Sequence, residues 1–163
     1  MSTATVAATR AKAGKYLTFA LGKEEYGIAI LKVREIIGYM TITAVPRMPD
    51  YVRGVINLRG QVIPVVDLRS RFGMETKEIT EQTCIIVVDI HHEGRSFNAG
   101  LIVDRVQEVL DIEQNNIDDA PQFGTDVNTD FILGIGKAGS DIKILLDIDQ
   151  VLEGMGTLME GQS

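Results

Sequence analysis

Gly54-Val-Ile-Asn-Leu-Arg-Gly-Gln-Val-Ile-Pro-Val-Val-Asp-Leu-Arg-Ser-Arg-Phe72 reads as the body of a hairpin: apolar and β-branched residues run from Val52 to Leu58 and from Val62 to Leu68, with Arg59-Gly60-Gln61 between them. Pro64, inside the second run, donates no ladder hydrogen bond, which predicts an edge or a bulge at that residue. The stretch returns later in the chain. Gly134 to Leu152 repeats it, with Gly134 under Gly54, Leu145-Leu146-Asp147-Ile148 under Val65-Val66-Asp67-Leu68, and Leu152 under Phe72. A second pair, Gly27 to Ile37 over Gly100 to Leu110, matches the glycine, the apolar positions and the glutamates Glu35 and Glu108. Two segments recurring in the same order imply duplication of one β unit of about 70 residues.

The rest of the chain fits that plan. Further strand-like segments cover Tyr16 to Leu21, Glu25 to Ile30, Cys84 to Ile90, Phe97 to Val103 and Ile142 to Ile148. Leu31 to Ile37 has apolar residues at 33, 36 and 37, a spacing that predicts one or two helical turns, and Asp149 to Leu152 suggests another. Units this short with many strands are most economically closed into small barrels, because closure removes exposed edges. The expected fold is mostly β, with a first subdomain over residues 15–80 and a second over 81–153; exchange of strands between the two would blur the boundary. Residues 1–14 and 154–163 read as tails without a hydrophobic period.

Composition narrows the function. The chain has 163 residues, 45% hydrophobic and 24% charged, enough for a core without disulfide or metal staples. Its apolar runs fall far short of the roughly 20 residues of a membrane span. One cysteine, Cys84, suits a reducing compartment and reads as a small core residue. The net charge of -7 argues against nucleic acid as a partner. Its distribution is uneven: residues 1–80 hold 12 Lys and Arg against 7 Asp and Glu, residues 81–163 only 4 against 16. Oppositely charged halves suit oriented association with another body.

A search for catalytic chemistry yields little. His91-His92-Glu93 concentrates ligand-type residues, but neighbouring histidines on a strand point to opposite faces and do not converge on one ion. Gly134-Ile-Gly136 lacks the lysine and helix of a phosphate loop. Asp67 and Asp147, at matching strand ends, read as capping or turning residues. No metal, cofactor or catalytic residue is expected. Binding features are more prominent. Arg59 sits at a hairpin tip where the second unit has Lys137-Ala138-Gly139-Ser140-Asp141, so it has no counterpart. Its fork of donors suits carboxylate recognition, or an internal ion pair with Glu35. Val33 and Ile36 are candidates for core or interface, and Phe123 is either a partner anchor or a cover over a barrel end.

Tyr16-Leu-Thr-Phe-Ala-Leu-Gly22, Glu24-Glu-Tyr-Gly-Ile-Ala-Ile-Leu-Lys-Val-Arg-Glu-Ile36, the hairpin from Val52 to Arg69, and Gly100-Leu-Ile-Val-Asp-Arg-Val106 closely resemble the CheW family of bacterial chemotaxis coupling proteins, from about Lys15 to Leu152. The resemblance implies two five-stranded SH3-like barrels around a shared core, forming a single CheW-like domain. It also implies a non-enzymatic cytoplasmic adaptor, recruited to receptor clusters at the inner membrane without inserting into it. The implied partners are methyl-accepting chemoreceptors and the regulatory domain of the histidine kinase CheA. Carried over by motif, Val33, Glu35 and Arg59 would face receptor, and Phe123 kinase; Asn57, Leu58, Arg59 and Gly60 form the central motif. Arg34 stands where the family commonly has glutamine. The competing expectation is an SH3-like or oligonucleotide-binding barrel for a small ligand or single-stranded nucleic acid, which would need an aromatic, basic groove.

Overall fold

The computed structural model describes residues 12–119 and 131–153. Its strands are β1 (Gly14–Leu21), β2 (Glu24–Ala29), β3 (Val33–Gly38), β4 (Val52–Leu58), β5 (Gln61–Asp67), β6 (Cys84–His92), β7 (Arg95–Val103), β8 (Arg105–Ile112), β9 (Ile117–Asp118), β10 (Ile132–Ala138) and β11 (Asp141–Leu146). Two one-turn helices, α1 (Leu68–Arg71) and α2 (Ile148–Val151), begin at Asp67 and Asp147. Each aspartate caps its helix, accepting from Arg69 N and Gln150 N respectively.

The strands form a five-stranded sheet, β3-β6-β7-β5-β4, and a six-stranded sheet, β8-β1-β2-β11-β10-β9, the last strand being only two residues long. Side-chain alternation gives each sheet two apolar faces. In β6, Ile85 and Val87 pack with Ile56, Ile63 and Val65 inside the five-stranded barrel, whereas Ile86, Val88 and Ile90 point into a larger core. Tyr16, Ile112, Ile117 and Leu145 fill the six-stranded barrel. Between the barrels lie Leu17, Phe19, Leu21, Ile28, Leu101, Leu146 and Ile148, all buried. Two SH3-like barrels around a shared core is the observed architecture.

The repeat is as exact in space as in sequence. β4 pairs β5 with a bulge between Val52 and Gly54, and β10 pairs β11 with a bulge between Ile132 and Gly134. Asp67 N donates to Tyr51 O, and Asp147 N to Phe131 O, both at 2.8 Å. Between these equivalent aromatics sits Arg71, its guanidinium carbon 5.1 Å from the Tyr51 ring centre and 5.7 Å from that of Phe131. The units are not separate, however. β2 of the first half runs parallel to β11 of the second, Gly27 opposite Leu145, while β7 of the second half runs parallel to β5 of the first, Gly100 opposite Val65. A cut near residue 80 follows the sequence repeat but divides both sheets.

Several expectations change. Leu31 to Ile37 is not helical beyond a 3-10 turn at Ile30–Lys32; Val33–Gly38 is an edge strand on β6. Its half-buried positions are Val33, Glu35 and Ile37, so Ile36 faces outward, and the apolar spacing that suggested a helix mixes both faces. β8 and β10 are strands that hydropathy alone did not mark. Pro64 lies inside the sheet order, but the ladder to β7 begins only at Val65, so on that side its stretch of β5 is locally an edge. Of the expected tails, residues 1–11 and 154–163 lie outside the described residues. Residues 12–14 are tied down: Lys12 O accepts from Tyr16 Oη, Ala13 N donates to Gln114 Oε1, and Gly14 pairs with Ile112.

Part of the uneven charge is paired within the molecule. Lys15–Asp111, Lys32–Asp149, Arg34–Asp89, Arg69–Asp104 and Lys77–Asp104 each join a cation of the first half to a carboxylate of the second. Arg69 grips Asp104 with two bonds, Nε at 2.8 Å and Nη2 at 2.6 Å, and Gly22 N adds a third at 2.7 Å. Although burial pushes the Asp104 carboxyl upward, the bonds and charges of Arg69, with Gly22 N and Lys77, hold it down at about 2.

Two predictions follow from this packing. A methyl group on Gly100 would stand 2.7 Å from Ile85 Cγ2, and one on Gly27 3.0 Å from the end of Leu145. Gly100→Ala is therefore expected to destabilise by about 2 kcal/mol in urea unfolding, and Gly27→Ala by less. Because the folded carboxyl of Asp104 lies below its unfolded value, its stabilisation is present above about pH 4 and disappears as pH falls towards 2. Asp104→Asn should cost about 2 kcal/mol at neutral pH and flatten the stability profile between pH 4 and 2, measured by thermal melts across that range.

Candidate functional site

The hairpin that decides the fold also builds the most distinctive surface. Leu58 pairs with Gln61, leaving Arg59-Gly60 as a two-residue turn, and both residues have positive φ, 51° and 87°. Such turns match the twist of a hairpin but favour Asn-Gly or Gly-Gly, so an arginine in the left-handed region is held there against its preference. Asn57 helps: its Oδ1 accepts from Gly60 N at 2.8 Å and closes the turn. Leu58 is half-buried against the barrel interior. Of the four motif residues, Asn57 and Gly60 shape the turn, Leu58 anchors it, and Arg59 presents its side chain to solvent, 69% exposed.

Glu35 receives that side chain, as the sequence suggested: Arg59 Nη2 donates to Glu35 Oε2. Glu35 lies on β3 and Arg59 at the end of β4, the two edge strands of the five-stranded sheet, so the pair bridges the seam where the barrel closes. Two residues before Glu35, Val33 is half-buried against the shared core, which places it in the core and at its margin at once. Ile36 is 43% exposed and Val62, just past the turn, 60%. Val62 escaped the sequence reading, although strand alternation with the inward Ile63 already points it outward.

The second barrel lacks this arrangement. Gly139 occupies the place of Arg59, and Glu108, the counterpart of Glu35, is exposed with its backbone bonded to Thr18 Oγ1. Phe123 lies outside the described residues. The histidines diverge as strand geometry requires: His91 is exposed and its Nδ1 meets Ser96 Oγ at 2.8 Å, while His92 is half-buried with Nε2 3.9 Å from Glu93. Among the described residues, no group of three His, Cys, Asp or Glu is placed to hold a metal ion. No helix of the described residues is long and apolar enough to cross a membrane.

A duplicated, interlocked pair of SH3-like barrels with one asymmetric polar turn defines a double-barrel β protein. Comparison with known proteins specifies which. Residues 15–155 match the family described as CheW-like domain. The chain is 39% identical over 138 residues to the chemotaxis protein CheW of Klebsiella aerogenes, covering 85% of this chain and 81% of that protein. It is 35% identical to the chemotaxis protein CheW of Bacillus subtilis, covering 85% and 86%. The crystal structure of the scaffolding protein TtCheW from Thermoanaerobacter tengcongensis superimposes with a TM-score of 0.76 at 38% identity, over 86% of this chain and 93% of that one. The chain belongs to the CheW family. These relatives support a chemotaxis scaffold and not the small-ligand or nucleic-acid barrel.

The strained turn gives a test that separates fold from function. Replacing Arg59 by glycine removes an exposed ion pair worth at most about 1 kcal/mol and relieves a left-handed residue of similar cost. Arg59→Gly is expected to leave the urea midpoint nearly unchanged, whereas Arg59→Ala, which keeps the strain and loses the pair, should lower it.

Proposed function

We propose that the protein is a non-enzymatic cytoplasmic adaptor that couples the cytoplasmic tips of methyl-accepting chemoreceptors to the histidine kinase CheA, at receptor clusters beneath the inner membrane. The receptor-facing surface is Val33, Glu35 and Arg59. Phe123 belongs to a kinase-facing contact with the regulatory domain of CheA. One observation carries the receptor face: a solvent-facing arginine kept in a left-handed turn, paired with Glu35, in one barrel and absent from its twin. Strain of this kind is retained where the surroundings or the function demand it. An arginine already oriented by a carboxylate offers its remaining donors to a second carboxylate on a helical partner, and the exposed Ile36 and Val62 add apolar area beside it.

The test is CheA autophosphorylation in receptor-bearing membranes, with and without the protein. Stimulation should require all three components and be lost with Arg59→Glu while the variant keeps the circular dichroism spectrum of the unchanged protein and still melts cooperatively, at a somewhat lower temperature. Glu35→Lys should act in the same direction. If the pair works as a unit, combining the two substitutions restores part of the stimulation. Full stimulation by folded Arg59→Glu would remove Arg59 from the receptor face.

A further inference from the structure

The two crossings, β2 with β11 and β7 with β5, have the same register and nearly the same apolar pattern. On apolar residues alone, β2 fits β5 of its own half as well as it fits β11, and β7 fits β11 as well as it fits β5. Identical units face this ambiguity in general, and specificity then requires features that penalise the wrong pairing.

The polar residues at the crossings are not identical. Arg69, on α1, binds Asp104, which follows β7. By the repeat, the counterpart of Asp104 is Leu31, which follows β2 and is 92% exposed, and the counterpart of Arg69 is Asp149 on α2. Asp149 instead binds Lys32, one residue on, at 2.7 Å, and accepts from His91 N. The next layer is just as asymmetric. Glu25 on β2 takes the buried Lys143 of β11, and Gln107 Nε2 donates to the other oxygen of Glu25 at 2.7 Å; their counterparts across β7 and β5 are Asn98 and Ile63.

Pairing each strand within its own half would invert these contacts. Arg69 would meet Leu31 and Lys32, with no carboxylate. Asp104 would meet Asp149, with only the adjacent Arg105 to offset two like charges. Lys143, 4% exposed, would face Asn98, and Glu25 would face Ile63. An uncompensated charge at a buried position is among the costliest of contacts. We infer that Arg69–Asp104, Asp149–Lys32 and Lys143–Glu25 form a charge code that selects reciprocal strand exchange over pairing within each half.

The test makes the two crossings alike in the full chain. Leu31→Asp with Asp149→Arg gives the first crossing the same ion pair, in the same sense, as Arg69–Asp104. Glu25→Asn with Lys143→Ile gives it the same neutral layer as Asn98 and Ile63. Exchanged contacts stay matched in the fourfold variant, but so do the contacts of the unexchanged pairing. The readout is refolding by rapid dilution from denaturant, followed by size-exclusion chromatography and stopped-flow fluorescence of the tyrosines. The variant should retain the native spectrum in the fraction that folds, lose at least about twofold in monomeric native yield, and gain a second kinetic phase. Should the fourfold variant not fold, Leu31→Asp with Asp149→Arg alone, both at exposed or partly exposed positions, is expected to show the same loss in smaller measure. A variant that folds with the yield and single phase of the unchanged chain overturns the code.

Discussion

Two short parallel ladders hold this molecule together: Gly27 opposite Leu145 and Gly100 opposite Val65. Each joins a strand of one repeat to a strand of the other, so neither barrel can close without its twin. Glycine at each crossing admits a close neighbour, Leu145 in one case and Ile85 with Val65 in the other. The shared core follows from the same exchange. Leu146 and Ile148 of the second half meet Leu17, Phe19 and Ile28 of the first because β11 lies on β2. Helices α1 and α2 follow directly from β5 and β11, and Arg71 ties them together by donating from Nε to Val151 O at 2.7 Å.

That constraint explains how a duplicated protein carries the arginine–glutamate turn in one barrel alone. Most apolar interior positions serve the shared core and remain alike, Lys143 against Ile63 being an exception, while the hairpin tips project beyond the core and are free to differ. Arg59 and Gly139 occupy the same place on the same scaffold, yet only the first has a carboxylate to hold it. The Arg59–Glu35 pair is mostly exposed and contributes little to stability. Its value lies in orientation: it fixes a guanidinium at the rim of a rigid barrel, beside the outward faces of Ile36 and Val62.

Much of this was legible in the sequence because repeats expose register. Val52–Leu58 is a strand with the expected ends, Asp67 and Asp147 cap as their positions suggested, and the Arg59–Glu35 pair was anticipated from charge and position. The failures have a common physical origin in contacts distant along the chain. Glu35 shares the half-buried side of β3 with Val33 and Ile37 and meets Arg59 there, while Ile36 faces outward, so β3 does not alternate in hydropathy and reads as helical. Lys143, which hydropathy alone does not mark as an interior position, is buried because Glu25, 118 residues away, neutralises it. The acidic second half suggests an external partner, and part of that charge serves internally: Asp89, Asp104, Asp111 and Asp149 meet cations of the first half.

The central claim is that the two barrels are one cooperative body locked by reciprocal exchange, and native-state hydrogen exchange tests it most directly. In β2, β5, β7 and β11, the most protected amides should open together, with a single free energy equal to that of global unfolding from denaturant titration. A barrel whose strands opened at a distinctly lower free energy than those of its twin would show two separable units, and would contradict the account.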